Sequence, residues 1–183
     1  HSCAVRQSGS IACWGGNWER QNNVPAGNDF VGSTLSIRAG FPILAATTLS
    51  GAASSSQFSG GVTVDNNVSS RHNFTVGEVL NVQGVILVDP EHQNKEAAIF
   101  VVAALSNSAV DGVYMKDESR WGLWNKDIAH LAFIDSRILN ATEEVPVIES
   151  LSGLVGDFSV FFGYIVDGEV HYNVEPIQFT VSP

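Results

Sequence analysis

The side chains able to do chemistry in this sequence are scattered rather than gathered. His72, His92, His130 and His171 have no partner at a ligand spacing, and no His-Glu-x-x-His or Cys-x-x-Cys run occurs. Each reads as an ordinary surface or turn histidine. Hard oxygen ligands are more plentiful. Asp65, Asn66 and Asn67 form one candidate calcium loop, and Asp117 with Glu118 another. Neither follows the Asp-x-Asp-x-Asp-Gly pattern, and Asx side chains in turns commonly bond their own backbone instead. A serine nucleophile needs an exposed elbow such as Gly-x-Ser-x-Gly, whereas the serines here gather in low-complexity sequence. Carboxylate pairs for glycoside hydrolysis could be drawn from Asp127, Asp135, Glu143, Glu144 or Asp157, as from any acidic protein. Gly60-Gly61 precedes neither a lysine nor a helix start, so it does not read as a phosphate cradle. The expectation is a chain with no active site and, calcium at Asp65–Asn67 aside, no cofactor.

Trp121-Gly122-Leu123-Trp124, with Tyr114 nearby, could present flat rings to a polysaccharide, because the apolar C–H faces of sugars sit well on π-systems. The alternative is that one indole plugs the end of a sheet pair while the other covers a loop. Asn67-Val68-Ser69, Asn73-Phe74-Thr75 and Asn140-Ala141-Thr142 match the N-glycosylation pattern, which has meaning only in a host that glycosylates. The two cysteines, Cys3 and Cys13, flank a segment that reads as a hairpin with Ser8-Gly9 at its tip. Symmetry about Ser8 brings the thiols near one another across the ladder, where they form a disulfide or remain as buried free thiols. A disulfide would place the chain in an oxidising compartment.

Strands must position these groups. Charged residues make up only 15% of the 183, against roughly 25% in ordinary soluble proteins, and Ser, Thr, Asn, Gln and Gly take their place. That mixture suits strands and polar turns better than helices. Val62–Val64 precedes a turn at Asp65–Asn67. Val79–Val88 is long and β-branched, with Gly84 expected as a bulge or bend and Asp89-Pro90 as its stop. Ala97–Leu105 is apolar at every position and so on both faces, which predicts a central strand. Phe158–Val166 meets Glu169–Tyr172 across Asp167-Gly168, a strong hairpin signal, and Ile177–Val181 alternates cleanly. Only Trp124–Ile134 has helical spacing, enough for one short turn.

Three zones follow: 1–30, a turn-rich segment with the hairpin; 31–61, an apolar run from Thr34 to Leu49 and then a Ser/Gly/Ala tract read as a linker; and 62–183, the main body. The fold class is all-β, an antiparallel β-sandwich of Ig-like or jelly-roll-like kind with an N-terminal disulfide hairpin. The apolar run either completes its own sheet or serves as a donor strand for a neighbouring copy. The formal charge of −10, with no Lys/Arg cluster, argues against nucleic acid and against an anionic membrane surface. No apolar stretch is long enough to predict membrane insertion.

His1–Asn17 resembles one repeat core of the regulator-of-chromosome-condensation type, closest to secreted bacterial variants with paired cysteines. Such repeats build multi-bladed propellers, and a single blade fragment cannot close a ring. The sequence opens inside this motif, so further residues upstream are expected. Residues 62–183, especially Phe161–Tyr164 through Glu175–Ile177, are similar to modules at the ends of large bacterial surface proteins. The resemblance implies an extracellular or cell-surface location. The function expected is a non-catalytic structural or adhesive module, self-associating by strand addition as a surface or filament subunit, or else a carbohydrate-binding module of a secreted protein.

Overall fold

The structure, a computed structural model, describes residues 2–5, 11–14, 41–118 and 120–183. It divides into two compact units, His1–Ser36 and Ile37–Pro183. In the first, β1 (Ser2–Val5) and β2 (Ile11–Trp14) pair antiparallel, with Cys3 opposite Cys13. The register is symmetric about position 8, as the hairpin reading requires. The hairpin tip, the turn-rich stretch beyond Trp14 and the run from Thr34 to Gly40 lie outside the described residues.

The second unit is built from strands in two sheets, mostly antiparallel. The chain enters through β3 (Ile43–Leu44) and β4 (Ala46–Thr48), then β5 (Gln57–Val64), β6 (Asn67–Val68), β7 (Asn73–Thr75) and β8 (Leu80–Leu87). There follow β9 (Glu96–Ser106), β10 (Asp111–Lys116), β11 (Trp121–Leu123), β12 (Asp135–Ile138) and β13 (Thr142–Leu151). The last three are β14 (Gly156–Val166), β15 (Glu169–Asn173) and β16 (Ile177–Ser182). The larger sheet runs β11-β10-β9-β14-β15-β4, with β12 beside β9 and with β16 carrying β7 along β14. The smaller sheet runs β13-β8-β5-β3, with β6 on β5. Among the described residues only the β16–β7 pair is parallel.

One hydrophobic core draws on both sheets. Ile99, Val101 and Leu105 of β9 and Phe158, Phe162 and Tyr164 of β14 meet Phe58 of β5, Val82 and Ile86 of β8 and Val145 of β13. The intervening β9 residues Phe100 and Val102 point the other way, into a second cluster with Leu131 and Val170. Strand β9 is therefore covered on both faces, which accounts for its lack of polar alternation. The β14–β15 hairpin also forms as expected. Asp167 and Gly168 take φ of 51° and 81°, as a two-residue turn between right-twisted strands demands. Between Trp124 and Ile134 there is a single 3₁₀ turn, Ile128–His130.

Two expectations are corrected. The Ser/Gly/Ala tract is not a linker, because Gln57–Val64 is an interior strand of the smaller sheet, buried from Phe58 to Thr63. Its glycines serve close approach rather than flexibility. A Cβ on Gly60 would lie 2.7 Å from the Ile177 Cδ1 and 2.8 Å from the Gln83 carbonyl. Gly84 is not a bulge either. It keeps regular register opposite Gly60 and Val145, and a Cβ there would meet the Phe162 ring at 2.5 Å. The bulges fall instead in β13, after Pro146 and after Ile148. Of the two readings of the apolar run, the described part follows the first. Ile43-Leu44 pairs with β5 in one sheet and Ala46–Thr48 with β15 in the other.

Candidate functional site

The aromatic residues singled out for sugar binding do not form one surface. The β10–β11 ladder sets Tyr114 opposite Leu123 and Lys116 opposite Trp121, so these four side chains share a face. Trp124 continues the ladder one step further, donating its backbone N–H to the Val113 carbonyl at 2.8 Å. Its ring therefore lies on the opposite face, packed on the Phe100–Val102 cluster, with its indole N–H spent on the Asp127 carbonyl at 2.9 Å. Tyr114 packs half-buried against the inter-sheet core. Only Trp121 of the pair presents a free ring edge, at 38% exposure.

The flank of the larger sheet beyond β9 is unusually apolar. Trp121, Leu123, Ile128, Phe133 and Ile138 are five of the ten exposed large apolar side chains among the described residues. They fall within one continuous stretch that follows β10 and ends in β12, both of which pair with the same side of β9. On this flank β11 is outermost, and all three of its residues are exposed. A strand in that position leaves one row of backbone N–H and C=O groups unpaired.

A polar cluster that the sequence did not announce lies at one end of the unit. His92 and His171, read singly as unpartnered, stand ring to ring with centroids 4.6 Å apart. His171 is stacked on Tyr164 at 5.0 Å and 9°, and its Nδ1 faces the Ser54 hydroxyl at 3.2 Å. The Tyr164 hydroxyl lies 2.6 Å from Ser56 Oγ and 2.8 Å from His92 Nδ1. Ser56 Oγ in turn accepts the Asp89 N–H at 2.8 Å. Burial pushes the Tyr164 phenol up to about 12, outweighing the Ser56 hydrogen bond. Burial, and then the neighbouring His92, hold His171 below the ordinary histidine value. Hydrogen bonds from Ser55 and from the Glu91 N–H hold Asp89 below the usual carboxylate range. His171 Nε2 is buried and takes no hydrogen bond among the described residues, and its nearest carboxylate is Glu169 at 3.9 Å.

Half of this cluster was readable. A two-residue turn at Asp167-Gly168 fixes the ladder, and counting back sets Tyr164 opposite His171. His92 and the serines arrive on the irregular β8–β9 and β4–β5 connections, for which no period exists.

The calcium loop at Asp65–Asn67 is a tight hairpin turn. Asp65 and Asn66 take φ of 48° and 62°, Val64 pairs with Asn67, and Asn67 Nδ2 donates to the Asp65 carbonyl at 3.0 Å. These residue types are explained by tolerance of left-handed backbone. At the second candidate loop, Asp117 Oδ1 accepts the Arg120 N–H at 2.7 Å. Among the described residues no group of three or more His, Cys, Asp or Glu side chains is placed to hold a metal ion. No described helix is long and apolar enough to cross a membrane.

Compared with family models, curated proteins and solved structures, the chain matches none.

Proposed function

We propose that this chain is a non-catalytic structural or adhesive module of the cell exterior, a β-sandwich with an N-terminal disulfide hairpin, that self-associates by strand addition. The observation that carries this reading is β11. It is outermost in its sheet, all three of its residues are exposed, and its sequence Trp121-Gly122-Leu123 has no charge and no proline. Edges of that kind are what a pairing partner uses.

The sandwich reading is supported by a single core to which two sheets contribute alternate residues of each strand. The disulfide is supported by the register. Directly opposed residues of an antiparallel pair have Cα atoms roughly 4.5–5.5 Å apart, inside the range a disulfide spans, and Cys3 faces Cys13 in this way. A disulfide and low charge density together favour an extracellular or surface location.

Light scattering with electron microscopy on the purified chain tests the proposal. Concentration-dependent assemblies that disappear in a Trp121→Lys/Leu123→Lys variant are the expected result. A strictly monomeric chain at all concentrations overturns self-association. The second reading, polysaccharide binding, rests on Trp121 and Tyr114 sharing a face, and predicts glycan-array binding that Trp121→Ala abolishes while Trp124→Ala leaves it intact.

A further inference from the structure

We propose that His92, Tyr164 and His171 form a proton-operated latch: neutral, it holds the 49–56 and 88–95 connections against the β14–β15 hairpin, and on acidification it releases them. The inference is independent of the self-association reading, since it concerns the opposite flank of the larger sheet.

The hydrogen bonds converge on two hydroxyls. Asp89 N–H donates to Ser56 Oγ, which lies 2.6 Å from the Tyr164 hydroxyl, itself 2.8 Å from His92 Nδ1. Ser56 Oγ thus anchors both connections at once, to each other and to Tyr164. The proton-sensitive member is His171, whose ring is held between Tyr164 and His92. With its proton on Nδ1 toward Ser54, the buried Nε2 is a bare lone pair. A second proton there would be a buried cation with Glu169 at 3.9 Å, beyond hydrogen-bond reach.

The charged groups around the pair are few. Asp89 lies on the 88–95 connection and Glu169 on β15, and both favour a positive charge on His171. Asp167, in the hairpin turn, is held by Lys95 at 2.6 Å and senses His92. Against these carboxylates stand burial and the adjacent His92 ring, both of which disfavour a charge on His171. The folded protein thus binds the His171 proton less tightly than the unfolded chain does. The stability this contributes is fully present above the ordinary histidine value, about 6.5, and is lost as pH falls from there through the lowered folded value.

What opens is specified by the ladder. His171 is the register partner of Thr48 in β4, and Leu49 N–H donates to the Val170 carbonyl at 3.0 Å. Strand β4 has three residues and is the last strand of its sheet, so releasing 49–56 frees β4 and bares the β15 edge.

Hydrogen exchange on the full chain, corrected for intrinsic rates, tests this on the two sides of the histidine range. Between about pH 7.5 and about pH 5, amides of 46–56 and 88–95 should lose protection severalfold. Amides of β9 and of residues 156–162 should hold theirs. A uniform loss, or none, overturns the latch. His171→Phe keeps the ring stack on Tyr164 and removes the titration, so it should abolish the pH-dependent opening, and a folded His171→Phe chain that still opens in acid overturns the proposal. Should that variant fail to fold, histidine ring-proton NMR of the unaltered chain decides. A His171 midpoint lower in the folded chain than in the same chain unfolded in urea supports the latch, and a midpoint unchanged by unfolding sinks it.

Discussion

The two sheets end very differently on the flank where they come closest in sequence. Strand β13, the last strand of the smaller sheet, carries Glu143, Glu144 and Glu149, has Pro146 in its middle and is broken by two bulges. Strand β11, the last strand of the larger sheet, has none of these and shows its Trp and Leu to solvent. Charge, proline and bulges are the devices by which natural sheets refuse a further strand. Of these two edges, β13 carries such devices and β11 does not. The contrast shows that exposure alone does not make an interface: it is the lack of guarding on β11, beside a guarded edge of the same fold, that singles it out.

The guarded edge depends on what lies beneath it. Val145 of β13 pairs with Gly84, which is bare so that the Phe162 ring can lie against the strand. Gly84→Ala forces that ring aside in the centre of the core and should destabilise by about 3 kcal/mol, the upper range for overpacking. A denaturant-unfolding midpoint unchanged by this substitution would break the account of the core. Next in size is Arg137→Ala. Arg137 in β12 reaches the buried Glu143 carboxylate of β13 at 3.1 Å, so it ties the apolar flank to the guarded edge. Without it, Glu143 keeps only the Asn140 backbone and side-chain N–H groups, at 2.6 and 3.0 Å. Breaking a buried pair costs several kcal/mol, and because the arginine is half-buried the loss should be about 2. Equal stability would mean the two edges are not coupled through this pair.

Lys116→Met should cost less, about 1 kcal/mol. Lys116 donates to the Pro146 carbonyl at 2.9 Å, beside the bulge, and burial holds its amine below the ordinary lysine value. Methionine keeps the stem's packing and leaves that bulge carbonyl unpaired. Thermal unfolding at neutral pH checks it, and a gain in stability would mean that desolvating the amine outweighs the bond.

How much of this was legible follows from what fixes each element. The β14–β15 hairpin and the two-faced burial of β9 are local: the first follows from the backbone demands of Asp167-Gly168, the second from an unbroken apolar run. Strand β5 was hidden because Ser/Gly/Ala composition has two physical causes, flexibility and close approach. At Gly60 the Gln83 carbonyl of the neighbouring strand and Ile177, over a hundred positions away, decide between them. The separation of Trp121 from Trp124 was in the sequence all along, since residues three apart on an extended chain point to opposite faces. The latch was half legible: Tyr164 and His171 are a hairpin pair, but His92 comes on a connection whose path nothing local determines.

The smallest effect on stability should accompany the largest effect on association. Trp121 and Leu123 are 38% and 71% exposed, and replacing both with lysine changes only a solvent-facing edge, so unfolding should shift by no more than about 0.5 kcal/mol. The same change gives β11 what β13 already has, positive charge in place of negative, and should abolish assembly. If the double variant assembles as the unaltered chain does, strand addition at β11 is wrong even though the fold stands.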